Sequence, residues 1–316
     1  MSAEQSGAFL RPSARPRVVL VYRRSQYQTY ISDRDDAQAE GMLARDSGVL
    51  ARWQASHDRQ MAALDQIMAV LQAAPVCLED YPRGSLQAPM PDDVALVISA
   101  GGDGTFLDTS HFLRQTPLLG VNTDPLTSVG FLCGATATTF SQVFAAFLAG
   151  ELRVRSLCRL QATLGASVLE PPVLNEVLVA HGCPASTSKY YLVQGDQVEA
   201  QQSSGLWVAT AAGSTAALRS AGGEVMDILE QRLQYRVREP YAAAKLPALT
   251  HGYVEAGACL EVISKMPGMR LYIDGPHLSY PMALGESLRL AHHPVALRQA
   301  YVDAETLLEG VGADGL

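Results

Sequence analysis

The sequence carries little charge for its length and lacks the features that mark several other classes of protein. Charged residues make up 18% of its 316 residues, and the net charge is −8. An acidic chain without a basic run lacks the electrostatic footprint of a nucleic-acid binder. No window of about 18 or more apolar residues is free of charge, so we expect neither a membrane span nor a membrane partner.

Cysteine is scarce, and no secretory signal is recognisable. The five cysteines are scattered and form no CxxC pair, which is typical of proteins from a reducing compartment. Residues 1–17 are polar, contain Pro12 and Pro16, and lack the apolar region of a signal peptide. We therefore predict a flexible N-terminus over 1–17 and a cytoplasmic protein.

Common catalytic motifs are also missing. Neither GxSxG nor HExxH occurs, so the hydrolases that these motifs define have no local support. His292 and His293 are adjacent, beside Pro294, and lack the spacing of metal ligands. No metal-ligating residue is therefore predicted from spacing alone.

The apolar pattern predicts two domains of different class. Residues 18–150 alternate apolar runs with helical periodicity, which predicts an α/β domain with a parallel sheet. The predicted strands cover 17–22, 94–98 and 118–122, and the predicted helices cover 50–71, 105–113 and 139–148. Residues 151–293 contain short alternating segments separated by turn residues, which predicts an all-β, sandwich-like domain. Residues 294–316 have a helix-like pattern, and we expect them to pack back on the first domain.

A glycine-rich loop follows the predicted strand 94–98 directly. Its sequence, Ser-Ala-Gly-Gly-Asp-Gly-Thr at 99–105, lets the backbone turn tightly and bind a phosphate through N–H groups at a helix start. The loop is neither a dinucleotide fingerprint nor a Walker A loop, because it lacks the third glycine and the Gly-Lys pair. Asp103 inside such a loop suggests a general base or an Mg²⁺ partner. The alternative is a helix N-cap.

Two further polar groups interrupt apolar segments. Thr210, Ser214 and Thr215 place hydroxyls at a Gly-Ser-Thr turn, where they could bind sugar or phosphate oxygens or simply cap a helix. Asn175 and Glu176 are neighbours in a strand and point to opposite faces. They are either a hydrogen-bonding pair at a ligand or the end of a strand.

Together these motifs resemble the NAD kinase family. Gly-Gly-Asp-Gly-Thr at 101–105, the pair at 175–176 and Gly-Ser-Thr-Ala at 213–216 match its order and spacing over residues 94–240. The resemblance implies an α/β domain followed by a β-sandwich. It also implies phosphoryl transfer from ATP or polyphosphate to the 2′-hydroxyl of the adenosine ribose of NAD⁺ or NADH. A divalent metal such as Mg²⁺ and a homodimer or homotetramer are further implications.

The family's functional residues map onto matching positions of this chain. Asp103 matches the catalytic base, and the Asn175–Glu176 pair matches residues that hold the nucleotide's ribose and base. The remaining matches are phosphate- or nucleotide-binding positions: Gly102, Gly104, Thr105, Asn122, Phe131, Thr210, Ser214 and Thr215. Arg238 lies in a Val-Arg-Glu-Pro segment, where a positive charge near a phosphate is plausible; its alternative is a solvated strand edge.

Departures from the common family pattern point to one branch. Ser204 replaces the usual Asp, Ala211 the usual Pro and Ala217 the usual Tyr, and three extra residues separate Asn122 from Phe131. These features are similar to plant NADH kinases and animal mitochondrial NAD kinases. A diacylglycerol-type lipid kinase with a similar loop and a non-catalytic nucleotide sensor are the alternatives.

Overall fold

The computed structural model describes residues 8–32, 41, 47–241 and 248–302. The chain divides into two compact units, the first comprising residues 1–155 with 298–316, and the second residues 156–297. The units meet five residues later than the predicted boundary at 150, and the return to the first unit comes at 298 rather than 294. Residues 1–7 and 303–316 of the two predicted terminal segments lie outside the described residues.

The helices are α1 (Ser47–Ala73), α2 (Asp103–Ser110), α3 (Phe140–Ala149) and α4 (Ala217–Ser220), with a π-helix at Gln28–Ser32 and a 3₁₀ helix at Ala212–Thr215. The strands are β1 (Ala8–Phe9), β2 (Arg17–Tyr22), β3 (Cys77–Pro82), β4 (Val94–Gly101), β5 (Leu118–Asn122), β6 (Ala135–Thr136), β7 (Arg153–Leu157), β8 (Leu160–Leu164), β9 (Ser167–Val168), β10 (Glu176–His181), β11 (Ser188–Gln194), β12 (Gln197–Ser203), β13 (Gly205–Ala209), β14 (Leu233–Arg238), β15 (His251–Val254), β16 (Cys259–Ser264), β17 (Met269–Ile273), β18 (Leu278–Met282), β19 (Ser287–His292) and β20 (Leu297–Tyr301).

The first unit is built on a mixed sheet with the order β1-β7-β20-β5-β4-β2-β3, and β6 pairs with β5. Strands β3, β2, β4 and β5 are parallel neighbours, while β1 and β7 form an antiparallel pair. The apolar runs of β2, β4 and β5 are buried almost throughout, as expected for strands covered on both faces. Helix α1 packs Ile67 and Leu71 into this core.

The first unit differs from the prediction at three places. Residues 8–9, expected within a flexible terminus, form strand β1. Residues 77–82, which lie outside the predicted strands and helices, form β3, whose polar residues are tolerated because it is an edge strand. The helix expected from residue 294 onwards is wrong at 297–301, because this segment adds strand β20 between β7 and β5.

The second unit consists of two six-stranded antiparallel sheets, ordered β15-β14-β13-β10-β17-β18 and β12-β11-β16-β19-β8-β9. Side chains of both sheets share one core, including Leu192 and Leu260 from one sheet and Val208 and Leu271 from the other. The fold class predicted from the sequence, an α/β domain followed by an all-β sandwich, is therefore confirmed. Strand β12 was not predicted because its sequence, QVEAQQS, is almost entirely polar.

Across the described residues, no helix has both the length and the apolar character that a bilayer span demands.

Candidate active site

The glycine loop lies at the carboxyl end of β4, where the chain turns into α2. Gly102 precedes the helix in an extended conformation, and its carbonyl accepts hydrogen bonds from the N–H groups of Thr105 (2.9 Å) and Phe106 (3.2 Å). A Cβ atom on Gly102 would overlap the Ser128 hydroxyl, so a larger residue here would require the Ser128 side chain to move. Gly104 is exposed, whereas Thr105 is buried.

Asp103 is the first residue of α2, and its carboxylate is held by backbone N–H groups. Oδ1 accepts a hydrogen bond from the Leu132 N–H at 2.7 Å, and Oδ2 accepts one from the Phe131 N–H at 3.0 Å. The alternative of an ordinary helix N-cap does not describe this contact, because the residue at the cap is Gly102 and it makes no side-chain cap hydrogen bond. Phe131 contributes its backbone here, while its ring is exposed.

Next to this carboxylate, the Cys133 thiol stays protonated. Burial raises the pKa of Cys133 to about 12, and the negative charge of Asp103 adds to the effect. A thiol with that pKa cannot act as a base near neutral pH.

Hydrogen bonds and an ion pair hold the segment between Asn122 and Phe131 in place. The Asn122 amide nitrogen donates to the Ser128 carbonyl at 3.0 Å, and its Oδ1 accepts from the Asp124 N–H at 3.2 Å. Asp124 forms an ion pair with Arg59 of α1 at 2.8 Å. Burial raises the pKa of Asp124, but hydrogen bonds from Arg59, Thr127 and Ser56 outweigh it and bring it down to about 2. Asn122 thus positions the segment that carries the N–H donors to Asp103.

In the second unit, one carboxylate orders the start of β10. Asp274 accepts backbone N–H hydrogen bonds from Leu174 (2.9 Å), Asn175 (2.8 Å) and Glu176 (3.0 Å). It adopts a left-handed conformation with φ of 49°, which Asp tolerates better than most residues. Asp274 was not predicted, because it lies 99 residues beyond Asn175 in the chain.

The Asn175 and Glu176 side chains each retain an unused acceptor. Asn175 Oδ1 and Glu176 Oε2 are buried and have no hydrogen-bond partner in the described part of the chain. Burial raises the pKa of Glu176 to about 7, and the charge of Asp274 contributes. Buried polar atoms are normally paired, so these two acceptors favour a hydrogen-bonding pair at a ligand over the end of a strand.

The Gly-Ser-Thr turn packs directly on this pair. Thr210 donates a hydrogen bond from its hydroxyl to the Leu174 carbonyl, and its N–H donates to the Asn175 carbonyl at 2.9 Å. A Cβ atom on Gly213 would overlap the Asn175 backbone, so only glycine permits the contact. The hydroxyls of Thr210 and Ser214 make hydrogen bonds within the fold, and Thr215 is half-buried.

Arg238 lies away from this group, at the opposite end of the same sheet. Glu176 pairs with Ala209 at one end of β13, whereas Arg238 pairs with Gly205 at the other. Thr210 lies six positions after Ser204 along extended chain, which corresponds to roughly 20 Å. Arg238 and Ser204 line a cavity of about 250 Å³ with His181, Cys183 and other residues, none of them acidic.

Metal ligands are not gathered in either unit. Across the described ranges, no group of three or more His, Cys, Asp and Glu side chains is arranged to hold a metal ion. His292 and His293 each contact a backbone carbonyl instead.

Comparisons with known proteins give one consistent result. A family model described as the ATP-NAD kinase N-terminal domain matches residues 28–152. A probable NADH kinase of Oryza sativa subsp. japonica is 39% identical over 247 residues, covering 71% of this chain and 75% of the rice protein. An NADH kinase of Arabidopsis thaliana is 32% identical over 245 residues, covering 70% and 77%.

Solved structures share the fold at low sequence identity. A yeast NADH kinase complexed with NADH superposes with a TM-score of 0.68 at 13% identity, covering 99% of this chain and 94% of the yeast chain. An NAD kinase from Archaeoglobus fulgidus in complex with ATP gives 0.63 at 20% identity, covering 94% and 97%. These likenesses establish the architecture of the chain.

The fold, the glycine loop with its carboxylate and the named relatives define a phosphotransferase. The identity to the rice protein over three quarters of its length shows that this chain belongs to the NAD kinase family. The resemblance to plant NADH kinases, expected from the motifs, is confirmed by both plant relatives.

Proposed function

We propose that this enzyme phosphorylates the 2′-hydroxyl of the adenosine ribose of NADH and NAD⁺, with Asp103 as the general base. The observation that carries the proposal is the Asp103 carboxylate, oriented by two backbone N–H groups beside a phosphate-binding type of loop. Each carboxylate oxygen has a second lone pair, so both can hold their backbone donors while one accepts a substrate proton.

The reaction then depends on positioning and electrostatics. The ribose oxygen bonds to the terminal phosphorus of the donor, the bond from that phosphorus to its bridging oxygen breaks, and the ribose proton passes to Asp103. N–H groups at the start of α2, next to Gly102 and Gly104, stabilise the negative charge on the phosphoryl group. Thr105 supports the loop from its buried position at the first turn.

Binding of the nucleotide falls to the polar group of the second unit. Asn175 Oδ1 offers an acceptor, and Glu176, whose pKa is raised to about 7, can donate a hydrogen bond in its protonated form. Thr210 and Ser214 hold the turn against this pair, and Thr215 is the hydroxyl of the three that is partly exposed. We assign recognition of the ribose and base to Asn175 and Glu176.

ATP is the preferred donor in this proposal, and Mg²⁺ accompanies it. The Archaeoglobus NAD kinase whose fold this chain shares was solved with ATP. The absence of a grouped metal site among the described residues fits an ion carried on donor phosphates. When bound there, Mg²⁺ supplies charge neutralisation on the transferred phosphoryl group. Inorganic polyphosphate is the alternative donor.

We propose that the enzyme uses NADH with a kcat/KM at least comparable to that for NAD⁺. Both plant relatives and the yeast structural neighbour are NADH kinases by name. The cavity formed by Ser204 and Arg238 has no acidic lining residue, so it offers no attraction to the positive charge of the oxidised nicotinamide ring.

A coupled assay tests the proposal directly. NADP⁺ and NADPH formation is measured with ATP or polyphosphate as donor, with and without Mg²⁺, and a diacylglycerol substrate serves as the competing acceptor. We expect NADP(H) formation with ATP and Mg²⁺. Phosphorylation of diacylglycerol without NADP(H) formation would instead identify a lipid kinase, and nucleotide binding without either product would identify a sensor.

The proposal also covers the oligomeric state of the protein and its cellular compartment. We expect a homodimer or homotetramer, to be measured by size-exclusion chromatography with light scattering. The five cysteines are all free thiols, which supports a reducing compartment such as the cytoplasm. A stable monomer, or disulfides in the protein isolated from its source, would overturn these two points.

A further inference from the structure

Two arginines lie next to the glycine loop at the carboxyl edge of the parallel sheet. Strands β3, β2 and β4 are neighbours in that order, and Arg83 and Arg23 directly follow β3 and β2. The Arg83 N–H donates to the Tyr22 carbonyl at 2.7 Å, and the Arg23 N–H donates to the Ala100 carbonyl at 3.0 Å. Both backbones therefore continue the sheet up to the loop that carries Asp103.

The side chains of these arginines lie against the loop. Arg83 Nη1 is 3.4 Å from the position that a Cβ atom of Gly104 would take, and the Cβ of Arg23 is 3.2 Å from that of Gly101. The Arg83 Nε atom donates to Asp108 on α2, which fixes one edge of the guanidinium. Arg23 therefore lies next to Gly101 and Arg83 next to Gly104, two loop residues close to Asp103 in the sequence.

Within the described residues, the positive charge at this point is only partly compensated. Arg83 has its partner Asp108, but the half-buried Arg23 side chain makes no hydrogen bond or ion pair within the described ranges. Asp124 is close enough to act on Arg23 through its charge, yet Arg59 already pairs with it at 2.8 Å. Burial lowers the pKa of Arg23, and the positive charge of Arg83 lowers it further. Burying an unpaired cation beside another is costly unless an anion completes the site.

We propose that Arg23 and Arg83 bind the phosphoanhydride chain of the phosphoryl donor and hold its terminal phosphorus beside Asp103. The inference rests on the proposed function for the reaction, but the anion site itself follows from the charges and the loop. A planar guanidinium with free N–H groups suits two phosphate oxygens at once. Because the phosphoryl group must lie within bonding distance of the hydroxyl that Asp103 deprotonates, cations next to the loop that carries Asp103 serve the donor. The adenine of ATP plays no part in this recognition.

The test compares Arg23→Gln and Arg83→Gln with the matched control Arg114→Gln, whose exposed arginine lies beyond the opposite end of α2. Binding of inorganic tripolyphosphate and of ADP is measured by calorimetry, and KM is measured separately for donor and for NADH. We expect each site variant to weaken tripolyphosphate and ADP binding about 10- to 100-fold, with the KM for NADH little changed. The control should bind like the parent protein.

The other possible results test the anion site and the proposed function separately. Unchanged tripolyphosphate and ADP binding in both site variants overturns the inference, as does a raised KM confined to NADH. Weaker ADP binding with unchanged tripolyphosphate binding also overturns it, since the phosphate chain would then not be what is recognised. Arginine-dependent tripolyphosphate binding in a protein that makes no NADP(H) rejects the proposed function and retains the anion site. If a Gln variant unfolds, Arg83→Lys and Arg23→Lys keep the charge and should restore folding with part of the affinity.

Discussion

The carboxylate of Asp274 accepts the backbone N–H of Asn175 at 2.8 Å, and the same oxygen accepts that of Glu176 at 3.0 Å. A loop at the end of β17 thereby sets the backbone on which the candidate nucleotide-binding pair stands. The side chains of the pair are left with unused acceptors, so one carboxylate orders the site without occupying it.

Asp274→Asn should damage this arrangement while keeping the left-handed backbone. An amide can accept at one atom only, so at least one N–H of residues 174–176 loses its partner. We expect about 1–3 kcal/mol of destabilisation and a higher KM for the dinucleotide. Urea unfolding and kinetics check both effects against Asp196→Asn, an exposed turn residue of the same unit. Wild-type stability in Asp274→Asn would show that these hydrogen bonds contribute little.

Asp103→Asn should remove the base while keeping the residue's size. We expect kcat to fall on the order of 10²–10⁴-fold, with nucleotide affinity largely retained. Single-turnover kinetics and equilibrium binding separate the two effects. Turnover close to that of the parent enzyme would exclude Asp103 as the base.

Asn175→Ala should raise the KM for the dinucleotide or lower kcat without lowering the melting temperature much. The reason is that Asn175 Oδ1 has no partner in the described structure to lose. Asn122→Ala is the informative contrast, because both its amide atoms brace a loop and its loss should lower the melting temperature. A large stability loss with normal kinetics in Asn175→Ala would support a purely structural strand end.

Glu176 should make the protein less stable as pH rises from about 4.5 to 7. Its folded-state pKa of about 7 exceeds the ordinary pKa of 4.5 for a glutamate, so between these values the folded state binds more protons than the unfolded state. Stability contributed by this group is therefore greatest below pH 4.5 and is lost as pH rises through 7. Unfolding measured from pH 5 to 8 should show a flatter profile in Glu176→Gln. Identical profiles for the two proteins would contradict the assignment.

Ser204→Asp should shift substrate preference toward NAD⁺. The substitution places a carboxylate in a cavity whose lining contains Arg238 and no acidic residue. A negative charge there attracts the oxidised nicotinamide ring, which is cationic, more than the neutral reduced ring. The measurement is the ratio of kcat/KM for NAD⁺ and NADH in both proteins. A parent enzyme with a strong preference for NAD⁺, or an unchanged ratio in the variant, would refute this idea.

Local patterns were enough to predict the elements around the site. The apolar run of β4, the glycines and Asp103 follow one another in the chain, so a strand, loop and helix could be expected at 94–113. Asn175, Glu176 and the Gly-Ser-Thr turn were found because each interrupts an apolar segment. Strands β3 and β12 were missed because polar edge strands carry no apolar alternation, and β20 was missed because its pairing, rather than its pattern, makes it a strand.

The sequence by itself determined the two fold classes, the loop that holds Asp103 and the family to which the motifs belong, because these features depend on residues close together in the chain. Only the tertiary structure decided which side chains surround them. Arg23 and Arg83 reach the glycine loop because β2 lies beside β4 in the sheet and β3 lies beside β2. Asp274 reaches Asn175 across 99 residues because β17 pairs with β10. Strand order and register arise from packing of the whole chain, and no local pattern encodes them.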